Sequence, residues 1–81
     1  MVSRQEILRA IELISPLCIN GKWLYPELSL AASVITQGVY DAKKFANPPD
    51  ETVKSLEPWC MIIGVRPTMA KEMIDAIKKY K

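Results

Sequence analysis

The feature that most constrains the fold is a long apolar stripe with helical spacing between residues 26 and 46. Its members recur at intervals of three and four: Leu28, Ala31, Ile35, Gly38, Ala42 and Phe45. Such spacing puts them on one face of an α-helix. Pro26 suits a first helical position, and Asn47-Pro48-Pro49 ends the pattern, because proline cannot continue a helix. The sequence therefore predicts one helix over residues 26–46.

Gly38 lies on this stripe although glycine disfavours helices. It costs about 1 kcal/mol relative to alanine in a helix interior. Its small size predicts that another element crosses the helix closely at this point. A break in the helix at Gly38 is the alternative.

Other helices are indicated on both sides of the stripe. Ser3 and Glu6 have the spacing of a capping box, and Ser15-Pro16 ends the first apolar pattern, which runs from Ile7 to Ile14. Asp50 and Glu51 suit the start of a helix, where the helix dipole favours negative charge. In addition to residues 26–46, we predict helices at about residues 3–15, 50–57, 58–63 and 67–80.

Residues 17–25 have a different pattern. Asn20-Gly21 is a pair that tolerates the positive φ angles of a type I′ turn, and short apolar runs flank it. A short β-hairpin and a structured loop both fit. Trp23 and Tyr25 are interpreted as side chains that cover the core rather than as a stacking platform for bases.

Length and composition favour one small folded domain. The chain has 81 residues, of which 49% are hydrophobic and 25% are charged, as in ordinary globular proteins. We therefore predict a single domain over residues 1–81. Its fold class is all-α, a compact bundle of four to five helices with a hairpin or loop at residues 17–25.

The charge distribution gives a mild indication about partners. The net charge is +2, too small to identify a nucleic-acid-binding protein. Residues 1–42 carry three cations and four anions, whereas residues 43–81 carry eight cations and five anions. The C-terminal half is thus the better place for an anionic partner.

The sequence has no feature of membrane insertion, export or catalysis. We predict no signal peptide and no membrane association, because the apolar runs are far shorter than a bilayer span. Cys18 and Cys60 are interpreted as two buried free thiols rather than a disulfide, in a cytoplasmic protein, or in the host cytoplasm if the protein is viral. Histidine is absent, and no acidic or cysteine cluster has metal-ligand spacing. We predict no catalytic residue, no metal, no cofactor and no enzyme activity.

Residues 56–74 resemble the helix-turn-helix of small DNA-binding regulators. Gly64-Val65 match the glycine and aliphatic residue of the turn, and Cys60 is a small residue where the two helices touch. Ala70 and Met73 match apolar positions of the second helix. The resemblance also places two residues toward the core, namely Trp59 and Ile63.

The resemblance implies a DNA-contacting face. Five residues would lie on the exposed side of the second helix, which enters the major groove: Arg66, Thr68, Met69, Lys71 and Glu72. Arg66 and Lys71 would contact bases or phosphates, and Thr68 a phosphate. Two features depart from the pattern: Glu72 and Asp75 are negative, and Pro58 shortens the first helix. Half of a helix-hairpin-helix, or a pair of core helices without a DNA role, fits the same residues.

The first functional hypothesis is therefore a small helix-turn-helix DNA-binding regulator or accessory factor. The alternative is a protein-interaction module. The low net charge, the acids on the supposed recognition helix and the apolar excess of so short a chain motivate it. The stripes at 3–14 and 26–46 could exceed what one core covers, which leaves a face for a protein partner or a homodimer. An inhibitor, an adaptor and an assembly subunit, viral or cellular, all fit this class.

Overall fold

The computed structural model describes residues 3–42 and 50–79, in which a helical bundle is joined to one short hairpin. The elements in chain order are α1 (Arg4–Ile14), β1 (Cys18–Ile19), β2 (Lys22–Trp23), α2 (Pro26–Ala42), α3 (Asp50–Lys54), α4 (Glu57–Ile62) and α5 (Met69–Lys79). The predicted all-α class is confirmed. The predictions for residues 43–49, including Phe45 and the proline stop, and for Tyr80 lie outside the described residues.

Helix α1 begins where the sequence predicted. The backbone N–H of Glu6 donates to Ser3 Oγ at 3.2 Å, so Ser3 caps the helix. Ile7 and Ile11 are fully buried. Ile14, however, is half exposed although it belongs to the predicted stripe, because the helix ends there.

Of the two alternatives for residues 17–25, the structure has the hairpin, at residues 18–23. Asn20 and Gly21 have φ angles of 54° and 78°, as a type I′ turn requires, and Cys18 pairs with Trp23. Trp23 packs against the core, as predicted. The matching prediction for Tyr25 was wrong, since its side chain is exposed. Tyr25 directly precedes α2.

Helix α2 is the centre of the bundle and contacts every other helix. Ala32, Ile35 and Val39 are fully buried along it. The helix is continuous through Gly38, where an added Cβ would lie 2.7 Å from Leu56 Cδ2. The predicted close crossing at Gly38 is therefore confirmed, and the crossing segment is the connection between α3 and α4.

Candidate interaction site

The turn between α4 and α5 brings the predicted helix pair together. Cys60, Ile63 and Ala70 are fully buried, and the backbone N–H of Val65 donates to the carbonyl of Cys60 at 3.0 Å. Gly64 has a φ of 77°, a left-handed conformation that favours glycine. The connection covers residues 63–68, which is longer than the 3–4-residue turn typical of DNA-binding helix pairs.

Four of the five predicted DNA-contacting residues lie on the surface. Arg66, Thr68, Lys71 and Glu72 are exposed. The predicted exposure of Met69 was wrong, because its side chain is only 4% exposed and belongs to the core. The exposed placement came from the resemblance, whereas the helical spacing puts Met69 one turn before Met73, on the side of α5 that packs against the core.

Glu72 is the acceptor of a small polar network on this surface. Its Oε1 accepts a hydrogen bond from Arg66 Nη2 at 2.8 Å, and its Oε2 accepts one from Thr68 Oγ1 at 3.0 Å. The carboxylate thus offsets the charge of Arg66. A phosphate that approached Arg66 would compete with Glu72, while Lys71 is exposed next to it in sequence.

The position of Trp59 differs from the sequence prediction. Trp59 was expected to face the core, but it is 37% exposed. The buried face of this segment consists of residues spaced by four and three, namely Leu56, Cys60 and Ile63. That phase leaves Trp59 and Ile62 together on a neighbouring face, which is turned toward the outer side of α2.

Trp59 and Ile62 form one wall of a shallow apolar groove between α2 and α4. Its volume is about 530 Å³, and it is lined by Glu27, Leu30, Ala31, Ser33, Val34, Gln37, Trp59 and Ile62. We call this the α2–α4 groove. Leu30 is 68% exposed and Ile62 is half exposed, whereas Ala31 is buried at the base. Large apolar side chains therefore stand in solvent beside a small buried residue.

Sequence periodicity did not single out this groove. Leu30 and Val34 are spaced by four residues on α2, but both lie off the stripe that contains Leu28, Ala31 and Ile35. The available signal was this second apolar line, because a helix that packs through one stripe ordinarily keeps polar residues on its other face.

A second groove lies beside α5. It has a volume of about 480 Å³ and is lined by Ile14, Gly64, Val65, Arg66, Met69, Glu72, Met73 and Ala76. Apolar side chains thus adjoin the Arg66–Glu72 ion pair. The face predicted to contact DNA therefore includes apolar side chains, and the positive charge of Arg66 on it is offset by Glu72.

No described residues form a cluster of three or more potential metal ligands. Cys18 and Cys60 are free thiols, as expected, and Cys60 is fully buried, whereas Cys18 is only partly so. Burial raises the pKa of the Cys60 thiol, and the carboxylate of Glu57 acts in the same direction. None of the helices in residues 3–42 and 50–79 is long and apolar enough to cross a membrane.

No family model, curated protein or solved structure matches this chain. The residues and their geometry are therefore the basis for a functional proposal. Of the surfaces in the described part of the chain, the α2–α4 groove brings together exposed apolar side chains from two helices.

Proposed function

We propose that this protein is a non-enzymatic protein-interaction module that binds its partner in the α2–α4 groove. The observation that supports the proposal is the exposure of Leu30, Val34, Trp59 and Ile62 along one groove. Apolar side chains that stand singly on a surface need no explanation, whereas these four adjoin one another along a groove, as at an interaction site.

The residue types agree with this function. Trp59 is an aromatic residue that is partly exposed at the groove wall, and tryptophan is enriched among residues that dominate binding energies. Covering the apolar side chains would remove their surface from water, which is worth roughly 25 cal/mol per Å² before the costs of association. Charged residues are depleted in interface cores, and the groove lining follows that trend.

The experiment is affinity capture with a matched control. Wild-type protein, a Leu30→Asp/Val34→Asp variant and a Leu13→Asp variant are immobilised and exposed to a lysate of the source cells. Leu13 is exposed and apolar but is not a lining residue of the α2–α4 groove. A protein that binds wild type and Leu13→Asp but not the groove variant supports the proposal. Equal capture by all three contradicts it.

Duplex DNA binding through α5 is the second candidate function. It is favoured by the exposure of Arg66 and Lys71 after a glycine turn, in the arrangement that resembles a helix-turn-helix. The Arg66–Glu72 ion pair makes it the weaker candidate. Fluorescence anisotropy with random duplex at low salt tests it, since phosphate contacts give salt-dependent binding.

A further inference from the structure

We propose that the α2–α4 groove receives one amphipathic α-helix of another protein, with a cationic side chain of that helix opposite Glu27. This inference rests on the proposed function, which it makes more specific. Three properties of the groove support it: the shape of its walls, the secondary structure of its lining residues and the distribution of charge.

The groove has large side chains on both walls and a small one between them, as surfaces do where helices pack. Leu30 and Val34 stand one turn apart on α2, and Trp59 and Ile62 stand three residues apart on α4. Between them Ala31 is almost fully buried. Helices pack when rows of large side chains on one helix enter grooves over small side chains on another. A third helix, aligned along the groove, fits this relief.

The lining residues disfavour an extended peptide. Peptides that bind as added strands take their affinity from backbone hydrogen bonds to an exposed sheet edge. All eight lining residues belong to α2 or α4, so the groove contains no sheet edge to which a strand could be added. The groove can therefore bind chiefly through side chains. A helix with apolar residues at i, i+4 and i+7 supplies these on one face.

Charge and area disfavour a second copy of this chain as the occupant. In a twofold dimer the same patch meets itself, and Glu27 alone is charged among the eight lining residues. In such a dimer Glu27 would face the groove of the second copy, whose lining residues include no cation. A stable interface also buries about 800 Å² per partner, roughly one seventh of the 5613 Å² that the described surface exposes. The four apolar side chains of the groove cover only part of such an area.

The test uses fluorescein-labelled synthetic helices of about 18 residues, which span roughly five turns. Each is alanine-based, with a leucine stripe and one lysine at varied registers. Two comparison peptides are made. One replaces that lysine with glutamate, and the other keeps the lysine but has a proline at its centre. Anisotropy measures affinity, and methyl NMR spectra report whether Leu30 and Val34 are the residues perturbed.

We expect a lysine peptide to bind and to perturb Leu30 and Val34. The glutamate peptide should bind about two- to fivefold more weakly, as for an exposed ion pair, and Glu27→Lys should reverse that preference. The proline peptide should lose at least about tenfold in affinity, because proline breaks the helix.

Four results would overturn the inference. Equal binding of the proline peptide would indicate recognition without a helix. Perturbation of Leu30 and Val34 by phosphatidylcholine–phosphatidylglycerol vesicles, with no peptide binding, would indicate a lipid surface. Self-association that Leu30→Asp abolishes would indicate a second copy. If capture succeeds as described above but no helical peptide binds, the proposed function stands and only this inference fails; if capture fails too, both fail.

Discussion

The hydroxyl of Ser15 donates a hydrogen bond of 2.6 Å to the carbonyl oxygen of Ile63, and both residues are buried. Ser15 Oγ also accepts from the backbone N–H of Leu17 at 3.2 Å. One side chain thus links the end of α1 to the end of α4, across 48 residues of sequence. The bond also satisfies a carbonyl at a helix end, which would otherwise be buried without a partner.

We predict that Ser15→Ala destabilises the protein by about 1–3 kcal/mol, because it leaves the Ile63 carbonyl unsatisfied. Ser29→Ala is the matched control, since Ser29 is exposed and donates a local hydrogen bond to the Pro26 carbonyl. Urea denaturation followed by circular dichroism gives both free energies of unfolding. Equal losses for the two variants would contradict the structural role of Ser15.

Comparing alanine substitutions at Gly64 and Gly21 separates the cost of backbone strain from the cost of close packing. Both have φ near 78°, but an added Cβ at Gly64 would lie 3.2 Å from Pro16 Cγ, whereas one at Gly21 would meet no atom within 4 Å. Gly21→Ala should cost about 1–2 kcal/mol through its left-handed conformation. Gly64→Ala should cost about 1 kcal/mol more through crowding. The same denaturation series checks this order, and an equal or smaller loss at Gly64 would contradict close packing of Pro16 against this turn.

Stability should depend on the Cys60 thiol at high pH. Its pKa is raised in the folded state, chiefly by burial. Between the ordinary thiol pKa and the raised one, the folded state binds more protons than the unfolded state. The free energy of unfolding contributed by Cys60 is therefore complete below the ordinary thiol pKa and is lost as pH rises through the raised value.

Denaturation of wild type and Cys60→Ala over pH 7–10 isolates this contribution, because the other titrating groups are common to both proteins. The wild-type free energy of unfolding should fall more steeply at the alkaline end of the range. Parallel curves for the two proteins would show that the thiol does not have a raised pKa.

Glu72→Gln tests the second candidate function. Removing the carboxylate frees Arg66 from its 2.8 Å ion pair and removes a negative charge from the exposed face of α5. If this face contacts phosphates, Glu72→Gln should strengthen duplex binding severalfold and Arg66→Ala/Lys71→Ala should abolish it. Anisotropy at low and moderate salt measures both. If neither wild type nor Glu72→Gln binds at low salt, this candidate is excluded.

Local signals allowed much of the fold to be predicted from the sequence. Asn20-Gly21 indicated the hairpin because few residue pairs tolerate two positive φ angles, and Gly38 indicated a close crossing because a larger side chain would clash with Leu56. These effects depend on one or two residues and their nearest neighbours.

The errors arose where helical phase and packing partners decide the outcome. The resemblance to a helix-turn-helix placed Met69 outside and Trp59 inside, but Met69 is buried and Trp59 is partly exposed, because the elements packed against α4 and α5 determine which of their faces are covered. Leu30 and Val34 were part of a long apolar helix, but periodicity shows only which residues share a face. It does not show which faces are covered, so the groove emerged only from the relative positions of α2 and α4.

The most direct test of the proposed function is photo-crosslinking from position 30. A photoreactive amino acid replaces Leu30 in two proteins, one otherwise wild type and one that also carries Val34→Asp. In a control protein, the photoreactive amino acid replaces Leu13 instead. We predict one discrete adduct with a cellular protein from position 30, lost with Val34→Asp and absent from position 13. Equal adduct yields from positions 13 and 30, or an adduct that Val34→Asp leaves unchanged, would contradict binding in the α2–α4 groove.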